Sequence, residues 1–323
     1  MIRLFQTLPW WMLFIFLGKG VYGQQNTESA FYWENPYILN PASVRTEDPA
    51  FFSLSARKQW MGMPGSPSTF FATVTGYSAR YQSQIGAEVL ADRIGYLSTT
   101  DLSFSYAYRL RGGHWGGVSF GLAGVYRMRD GDWSEAVFDW PDDPMAGQDW
   151  GIRAREWNVH TGMEFFFGRS LIIGLAAHNL LSFFREDDVL RGGVKYLYGR
   201  YRTRSLGRRF DANAYRTLSF PKSYDLEAGI CIKQYEGEIQ VDGMISCYIN
   251  RRNQKEKLQL SLYGRNIGEI GVLFGVKIPS ELKFLFAYDY NFSHFKGHSN
   301  GTLEVMITYP LRNRQKCPRP WYE

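Results

Sequence analysis

Apolar and polar side chains alternate with a period of two along most of this chain. Between residues 155 and 167, for example, Trp157 and Val159 are interleaved with Glu156 and Asn158. Successive side chains of a β-strand point to opposite faces, so this period is typical of strands with one apolar and one polar face. The pattern recurs from residue 51 onward, and it predicts an all-β protein.

The number and the length of these segments favour a membrane barrel over a soluble β-sandwich, which is the alternative that alternation allows. Most segments span about ten to thirteen residues, which suits a tilted crossing of a bilayer, whereas strands of globular proteins average about five or six. An even number of antiparallel strands can close without exposed edges. We therefore predict an antiparallel transmembrane β-barrel of outer-membrane type with about 14 strands. The predicted strands are 51–60, 69–78, 83–92, 98–110, 116–128, 155–167, 171–180, 189–199, 222–233, 237–250, 256–267, 269–278, 282–291 and 301–310.

The first two predicted strands flank a turn that is rich in glycine and proline. Residues 61–68 contain Gly62, Gly65 and Pro67, which are unsuited to the interior of a paired ladder. The stretch therefore predicts the first hairpin of the barrel. If both termini lie in the periplasm, this turn faces the cell exterior, and we expect it to pack into the mouth of the barrel as a constriction.

Composition supports a membrane barrel and argues against other classes. Aromatic residues make up 17% of the chain, and 33 of the 323 residues are glycine. This mixture suits the aromatic girdles and tight turns of such a barrel. The net charge of +6 is modest and unevenly distributed, so we expect no nucleic-acid partner. Beyond the N-terminus, no apolar run approaches the ~18 residues that a helical membrane span needs.

The N-terminus predicts export from the cytoplasm. Arg3 precedes a short apolar run, and the small residue Gly23 precedes the expected cleavage point, as in a secretory signal peptide. An uncleaved anchor is the alternative. We expect the protein in the outer membrane of a Gram-negative bacterium. The predicted organisation is a signal peptide at 1–23, an ordered but irregular periplasmic lead-in segment at 24–50, the transmembrane barrel at 51–310 and a basic periplasmic tail at 311–323.

Two long connections carry opposite charge and are candidates for partner binding. The basic connection, residues 199–221, is expected on the periplasmic side, and the acidic loop, residues 129–155, is expected outside. Such an asymmetry can steer the docking of partners, and ordinary solvated loops are the alternative explanation. The candidate partner-binding residues are Arg200, Arg202, Arg204, Arg208 and Arg209 in the basic connection and Trp133 and Trp140 in the acidic one.

No constellation of residues in the sequence predicts catalysis, a metal site or a cofactor, and we expect no small-molecule substrate. His294 and His298, for example, flank a glycine in a predicted loop instead of sharing a helix face. Several carboxylates lie at strand positions whose side chains are predicted to face the lumen. They could line a channel, contact an inserted plug, or pair with water and cations inside the barrel. These carboxylates are Glu156, Glu164, Asp225, Glu227, Glu238 and Asp242.

Short motifs spread over nearly the whole chain resemble the PorP/SprF family of outer-membrane proteins, which serve type IX secretion and gliding motility. The densest group lies around the first hairpin, and others follow in the family's order and spacing. The matching residues are Asn40, Pro41, Ala42, Arg57, Gln59, Trp60, Gly62, Gly65, Pro67 and Thr69, followed by Asp92, Gly95, Tyr106, Ala107, Tyr108, His178, Asn179, Leu180, Leu181, Tyr263, Gly264, Arg265, Gly271, Ala287, Tyr288, Asp289, Tyr290, Cys317 and Pro318.

The resemblance implies a non-enzymatic barrel of the type IX secretion system. Members of the family scaffold the machine through its periplasmic ring and lipoprotein components, or anchor a large secreted adhesin at the cell surface. Two other hypotheses remain open. One is a passive porin-like channel for small solutes. The other is an outer-membrane enzyme of the lipase or protease kind, for which the sequence offers no pairing of nucleophile and base.

Overall fold

The computed structural model is a β-barrel with an irregular segment inside it. It describes residues 28–113, 116–132, 151–168, 171–181, 209–220, 224–235, 238–251, 254–278, 281–292 and 299–311. The signal peptide predicted at 1–23 and nearly all of the predicted tail lie outside the described residues.

Fourteen antiparallel strands form one closed barrel, which confirms the predicted fold class. Each strand pairs with its neighbours in the sequence, and β1 also pairs with β14, so that Leu54 lies opposite Ile307. Closure gives every strand two partners. The strands are Ala50–Lys58 (β1), Ser68–Ser78 (β2), Ser83–Ile94 (β3), Leu97–Arg111 (β4), Gly116–Asp132 (β5), Gly151–Phe167 (β6), Leu171–His178 (β7), Arg209–Phe220 (β8), Tyr224–Tyr235 (β9), Glu238–Arg251 (β10), Gln254–Arg265 (β11), Glu269–Lys277 (β12), Lys283–Asn291 (β13) and Thr302–Leu311 (β14).

The predicted strands agree with the observed ones within a few residues, apart from the eighth. We expected a strand at 189–199, but β8 is formed by residues 209–220. In β8 the exposed Phe210 alternates with the buried Asp211 and Asn213, so this stretch has the two-residue period of a barrel strand. Its arginines led us to assign it to a basic connection, and that assignment is wrong.

The position of β8 also changes which end of the barrel carries the basic connection. β7 ends at His178, which pairs with Arg209 at the start of β8. Since β7 runs in the same direction as β1 and β5, residues 179–208 join the strands at the same end as residues 133–150. The predicted placement of the two long connections at opposite ends of the barrel is therefore wrong. We call this end, which also holds the β1–β2 turn, the loop end.

The opposite end holds only short connections between strands. These connections are two to five residues long, from residues 252–253 between β10 and β11 to residues 278–282 between β12 and β13. We call this end the turn end. Short turns on one side and longer loops on the other are typical of outer-membrane barrels, in which the short turns face the periplasm.

The two faces of the barrel wall differ as the alternation predicts. Outward side chains are large and apolar, and Phe104 and Trp157 are each 70% exposed, which suits contact with lipid. Inward side chains are mostly polar or small, and Ser119 and Asp242 are buried. A small apolar core lies inside the barrel at one side, where Met244, Leu285 and Met306 face inward.

Residues 28–49 lie inside the barrel, and we call them the plug. The plug contains two short 3-10 helices, Phe31–Trp33 and Pro36–Ile38. Phe31 is fully buried against the apolar core of the lumen. The segment is irregular, as expected, but the sequence pattern did not predict that it fills the lumen. Within the described ranges, no helix is long and apolar enough to cross a membrane.

Candidate functional site

The start of the plug is held in the loop-end half of the barrel by charged groups. Lys233 Nζ of β9 lies 2.6 Å from Glu28 Oε2 and 2.8 Å from Asp242 Oδ2. The Tyr32 hydroxyl donates to the same Asp242 carboxylate at 2.7 Å. Burial and the adjacent Asp242 carboxylate raise the pKa of Tyr32 well above its ordinary value, so the phenol stays a donor. Asp242 therefore both contacts an inserted plug and pairs with a lysine, two of the roles considered for the inward carboxylates.

A second contact at this end joins the plug to β14 and β1. Ser29 Oγ donates to Glu304 Oε1 at 2.5 Å, and the Ala30 amide donates to Glu304 Oε2 at 2.7 Å. Arg57 Nη1 lies 2.9 Å from Glu304 Oε2. The Glu304 carboxylate is thus shared between two plug donors and a buried guanidinium. Such charge-assisted hydrogen bonds are about twice as strong as neutral ones.

Arg57 belongs to a larger buried ion-pair network. Arg57 Nη2 and Arg265 Nη1 each lie 3.1 Å from Asp289 Oδ2, and Arg265 Nη1 lies 2.7 Å from Glu269 Oε2. The Tyr263 hydroxyl donates to Asp289 as well. These side chains are almost inaccessible, and a buried charge is tolerated only when it is paired and hydrogen-bonded. The network therefore ties β1 to β11, β12 and β13 beneath the loop end.

The middle of the plug is fixed by neutral hydrogen bonds to the barrel wall. Asn35 Nδ2 donates at 2.9 Å to both Ser53 Oγ of β1 and Thr73 Oγ1 of β2. The hydroxyls of Tyr37 and Ser105 of β4 lie 2.8 Å apart. These contacts join the middle of the plug to β1, β2 and β4. They leave the plug fastened along its length.

A further charged contact lies nearer the turn end. Lys283 Nζ at the start of β13 donates to both oxygens of Glu34, at 2.9 Å each. Arg45 Nη2 donates to the backbone carbonyl of Glu34. Burial acts to raise the pKa of the Glu34 carboxyl, but Lys283 and Arg45 outweigh it and hold that pKa below its ordinary value. The plug is therefore held by lysines of the wall at two levels of the lumen.

The Asn40-Pro41 motif is the point where the plug meets β5, β6 and β7. Asn40 Nδ2 donates to the carbonyls of Met163 and Leu175 at 3.1 and 3.3 Å. Asn40 Oδ1 accepts from the Ala42 amide at 2.9 Å, which stabilises the local turn. Asn40 therefore uses both ends of its amide and is fully buried.

Inward-facing glycines make room for the plug. A Cβ atom at Gly121 of β5 would overlap the backbone of Pro41 and Ala42, and one at Gly162 of β6 would overlap the Asn40 side chain. Similar close approaches occur at three further glycines with inward parity. These are Gly86 against Tyr37, Gly174 against Asn40 and Asn213, and Gly229 against Trp33. Glycine at inward positions of neighbouring strands is the one signal in the sequence that could have indicated a filled lumen.

A small polar cavity remains between the plug and the wall. Its volume is about 100 Å³, and Leu39, Arg127, His160 and His178 are among its lining residues. A space of this size holds a few water molecules. Arg127 donates to both oxygens of Asp101, at 2.6 and 2.7 Å, so the guanidinium is already engaged by the wall. The cavity is far smaller than a path for solutes through the barrel.

The β1–β2 turn has a conformation that explains its glycines. Gly62 and Gly65 have φ values of 90° and 68°, which glycine adopts without steric cost. The Met61 amide donates to the Gly301 carbonyl at 2.8 Å, and the Gly95 amide donates to the Gly65 carbonyl at 2.9 Å. The turn is therefore hydrogen-bonded to the β13–β14 connection on one side and to the β3–β4 turn on the other. Its role as a constriction stays a prediction.

The remaining predicted residues fall into three groups. The Gln59 amide donates to the Pro67 carbonyl at 3.0 Å and closes the β1–β2 turn, and Trp60 adopts a positive φ of 49°. Arg209, expected in a loop, lies in β8 with its side chain mostly buried and donates to Asp211 at 2.8 Å. The other candidates lie outside the described residues. They are Arg200, Arg202, Arg204, Arg208, Trp133 and Trp140.

Comparison with known proteins gives one family and several similar barrels. A model of the family described as "Type IX secretion system membrane protein PorP/SprF" matches residues 21–309. No protein with a curated description matches the chain. Among solved structures, the chain is similar to Omp33 of Acinetobacter baumannii at 6% identity, over 82% of this chain and 98% of that one, with a TM-score of 0.47.

Two further solved structures show similarity at the same level. A FadL homologue of Pseudomonas aeruginosa is 10% identical, over 84% of this chain and 93% of that one, with a TM-score of 0.46. The toluene transporter TodX of P. putida is 8% identical, over 85% of this chain and 93% of that one, with a TM-score of 0.48. At these identities the similarity concerns the fold alone.

Proposed function

The chain belongs to the PorP/SprF family of type IX secretion system membrane proteins, and on that premise we propose its specific role. We propose that the plugged barrel is a non-enzymatic platform in the outer membrane. It holds a secreted protein of the adhesin class at the cell surface through the loop end. It meets periplasmic components of the secretion machine through the turn end.

The plug is the observation that carries this proposal. A channel needs a continuous aqueous path, whereas residues 28–49 occupy the lumen and are fastened to the wall by the pairs Glu28–Lys233 and Glu34–Lys283. Breaking a buried ion pair costs free energy, so the plug stays bound inside the barrel. A filled, rigid barrel is suited to presenting loops to a protein partner.

The distribution of connections supports an external partner. The two longest connections, residues 133–150 and 179–208, both leave the loop end. With the short turns in the periplasm, both face the exterior. The candidate residues Trp133 and Trp140 and the arginines from Arg200 to Arg208 would then lie on the same side as the secreted protein. Aromatic and arginine side chains are the commonest anchors of protein interfaces.

Charge reversal at the loop end tests the proposal. The variant Arg200→Glu/Arg202→Glu/Arg204→Glu should release the secreted protein from cells into the medium, measured by surface biotinylation and by protein analysis of the medium. The matched control is Arg200→Lys/Arg202→Lys/Arg204→Lys, which keeps the positive charge at the same positions and should retain the secreted protein at the surface. If the charge-reversed variant retains the secreted protein as the unmodified barrel does, the proposal is wrong.

A porin-like channel is the alternative, and its test is independent of secretion. The purified full-length barrel should be silent in a planar bilayer, because the plug fills the lumen. Steady conductance of the unmodified protein would support the channel instead.

A further inference from the structure

One row of side chains on the lipid-facing side of β1, β2 and β3 carries two cations. Lys58 lies opposite Ser68, and Ser68 lies opposite Arg93, so the three residues form one register row at the loop end. All three are exposed and point away from the lumen. Neighbouring strands are about 4.8 Å apart, which places the two cationic residues about 10 Å apart across β2.

The rows below these cations are apolar and form a groove. The next row toward the turn end is Ala56, Phe70 and Ala91, in which a small residue flanks the phenyl ring on each side. Together with Leu303 and Val305 of β14, this part of the wall lines a groove of about 490 Å³. The row beyond it, Leu54, Ala72 and Val89, continues the apolar surface. The groove therefore runs from a cationic end into the hydrocarbon region.

The other end of the same three strands has no such charge. Its outward row is Ala50, Gly76 and Ile85. Among the outward-facing positions of β1, β2 and β3, the cations thus lie at the end that faces outward when the short turns lie in the periplasm, whereas the exposed Arg80 at the other end belongs to the β2–β3 turn. The outer leaflet of a Gram-negative outer membrane is built of glycolipid with phosphate groups on its head and acyl chains below.

We propose that this groove binds a phosphorylated glycolipid of the outer leaflet. An acyl chain lies along the apolar rows beside Phe70, and a phosphate group lies between Lys58 and Arg93. The Lys58 ammonium already donates to the Ser66 carbonyl and to Ser68 Oγ, at 2.8 Å each. These bonds position the ammonium and leave its third donor for the ligand. The Arg93 guanidinium supplies the planar donor pair that matches phosphate oxygens.

The inference goes beyond the proposed role in secretion, because it concerns the lipid contact of the barrel wall and not a protein partner. It shares with that role only the outward direction of the loop end. Binding of purified lipid in detergent does not depend on direction in the membrane, so the two can fail separately.

Native mass spectrometry of the purified full-length barrel with bis-phosphorylated lipid A tests the site. The variant Lys58→Gln/Arg93→Gln should weaken lipid binding about thirtyfold, since a cation near an anionic membrane surface contributes a factor of about five. The matched control is Arg80→Gln/Arg216→Gln, which removes two exposed cations at the turn end and should leave binding unchanged. Ala91→Trp, which fills the groove and keeps both cations, should also weaken binding.

Two further probes separate the ligand from its parts. The first probe is lipid A without phosphate groups. It should bind to the unmodified barrel as weakly as bis-phosphorylated lipid A binds to the Lys58→Gln/Arg93→Gln variant. The second probe is inorganic phosphate, which at millimolar concentration should not displace the lipid. Equal binding of phosphorylated and dephosphorylated lipid would overturn the proposal. Unchanged binding to the double variant, or displacement by inorganic phosphate alone, would overturn it as well.

Discussion

Removing the lysine that holds Glu34 should loosen the plug. In Lys283→Met the side chain keeps its length and loses its charge, so the Glu34 carboxylate loses both of its 2.9 Å hydrogen bonds from Lys283 Nζ. The side chains of Glu34 and Lys283 are only 13% and 8% exposed, so water replaces the lost partner poorly. The carboxylate then remains buried without its main counter-charge.

The expected magnitude follows from this burial. Removing one partner of a buried ion pair costs about 3–5 kcal/mol, and slight exposure places this pair at the lower limit, about 3 kcal/mol. That energy lowers the ratio of docked to released plug by about a hundredfold. Glu34→Met/Lys283→Met replaces both charges by apolar groups and should recover most of the loss, because no unpaired charge remains.

Labelling of a buried cysteine measures the released fraction. Ala30→Cys, in a background without the native cysteines, places a thiol at a plug position that is 1% exposed. Its rate of reaction with a maleimide should rise about a hundredfold in Lys283→Met, since labelling follows the population of the open form. Arg80→Met, which removes an exposed arginine at the turn end, is the control. Labelling of Lys283→Met at the control's rate, or equally fast labelling of the double variant, would refute the reasoning.

The same pair predicts how pH acts on the plug. The pKa of Glu34 is lower in the docked plug than its ordinary value of 4.5. A depressed pKa contributes stability that is present above pH 4.5 and is lost as the pH falls through the docked value. Acid should therefore raise the conductance of the unmodified barrel. Lys283→Met removes the largest influence that lowers the Glu34 pKa, so burial raises that pKa and favours the neutral form, and acid should lower the conductance of this variant.

Three other substitutions test different parts of the structure. Gly121→Val should expel the plug and raise the conductance of the barrel, because the valine side chain would overlap the backbone of the plug. The control is Gly124→Val on the same strand, where the side chain would face open space and the barrel should stay silent. Arg57→Met removes the guanidinium that pairs with Glu304 and one of the two guanidiniums that pair with Asp289. It should lower barrel stability by about 3–5 kcal/mol, measured by urea-dependent loss of the heat-modifiable band on a gel, and an unchanged midpoint would contradict the network's role. Gly65→Val forces a branched side chain to φ 68° and should destabilise the β1–β2 turn by about 1–2 kcal/mol, seen as faster proteolysis there than in the unmodified chain.

Strand positions could be predicted because side chains that face lipid are apolar, whereas their neighbours in the sequence face the lumen and are polar or small. This contrast produced the period of two from which thirteen strands were located. It failed at β8, where Arg216 faces outward near the turn end and gave the stretch the composition of a loop. The error of one strand moved a whole connection to the opposite end, because each strand reverses the direction of the chain. Composition was a weaker guide there than the alternation of Phe210 with Asp211.

The plug could not be predicted from periodicity, because an irregular segment has none. Its sequence showed only two Asn-Pro turns, which predict order but not location. Its partners are remote, since Ser29 and Glu304 are 275 positions apart. What the sequence did contain was the space for it. Gly121 and Gly162 have inward parity on adjacent strands, and in a barrel wall such positions allow another backbone to approach closely.

The remoteness of these partners also dictates when the plug can dock. It precedes β1 in the chain, yet Lys233, Lys283 and Glu304 belong to β9, β13 and β14. Glu28 and Glu34 of the plug therefore lack their lysine partners until the last third of the barrel has formed. Contacts at such separations form late, because the entropy of closing the chain must be offset first. The plug can thus dock only in the completed barrel. Its buried charges stabilise the pairing of β1 with β14 after that pairing has formed.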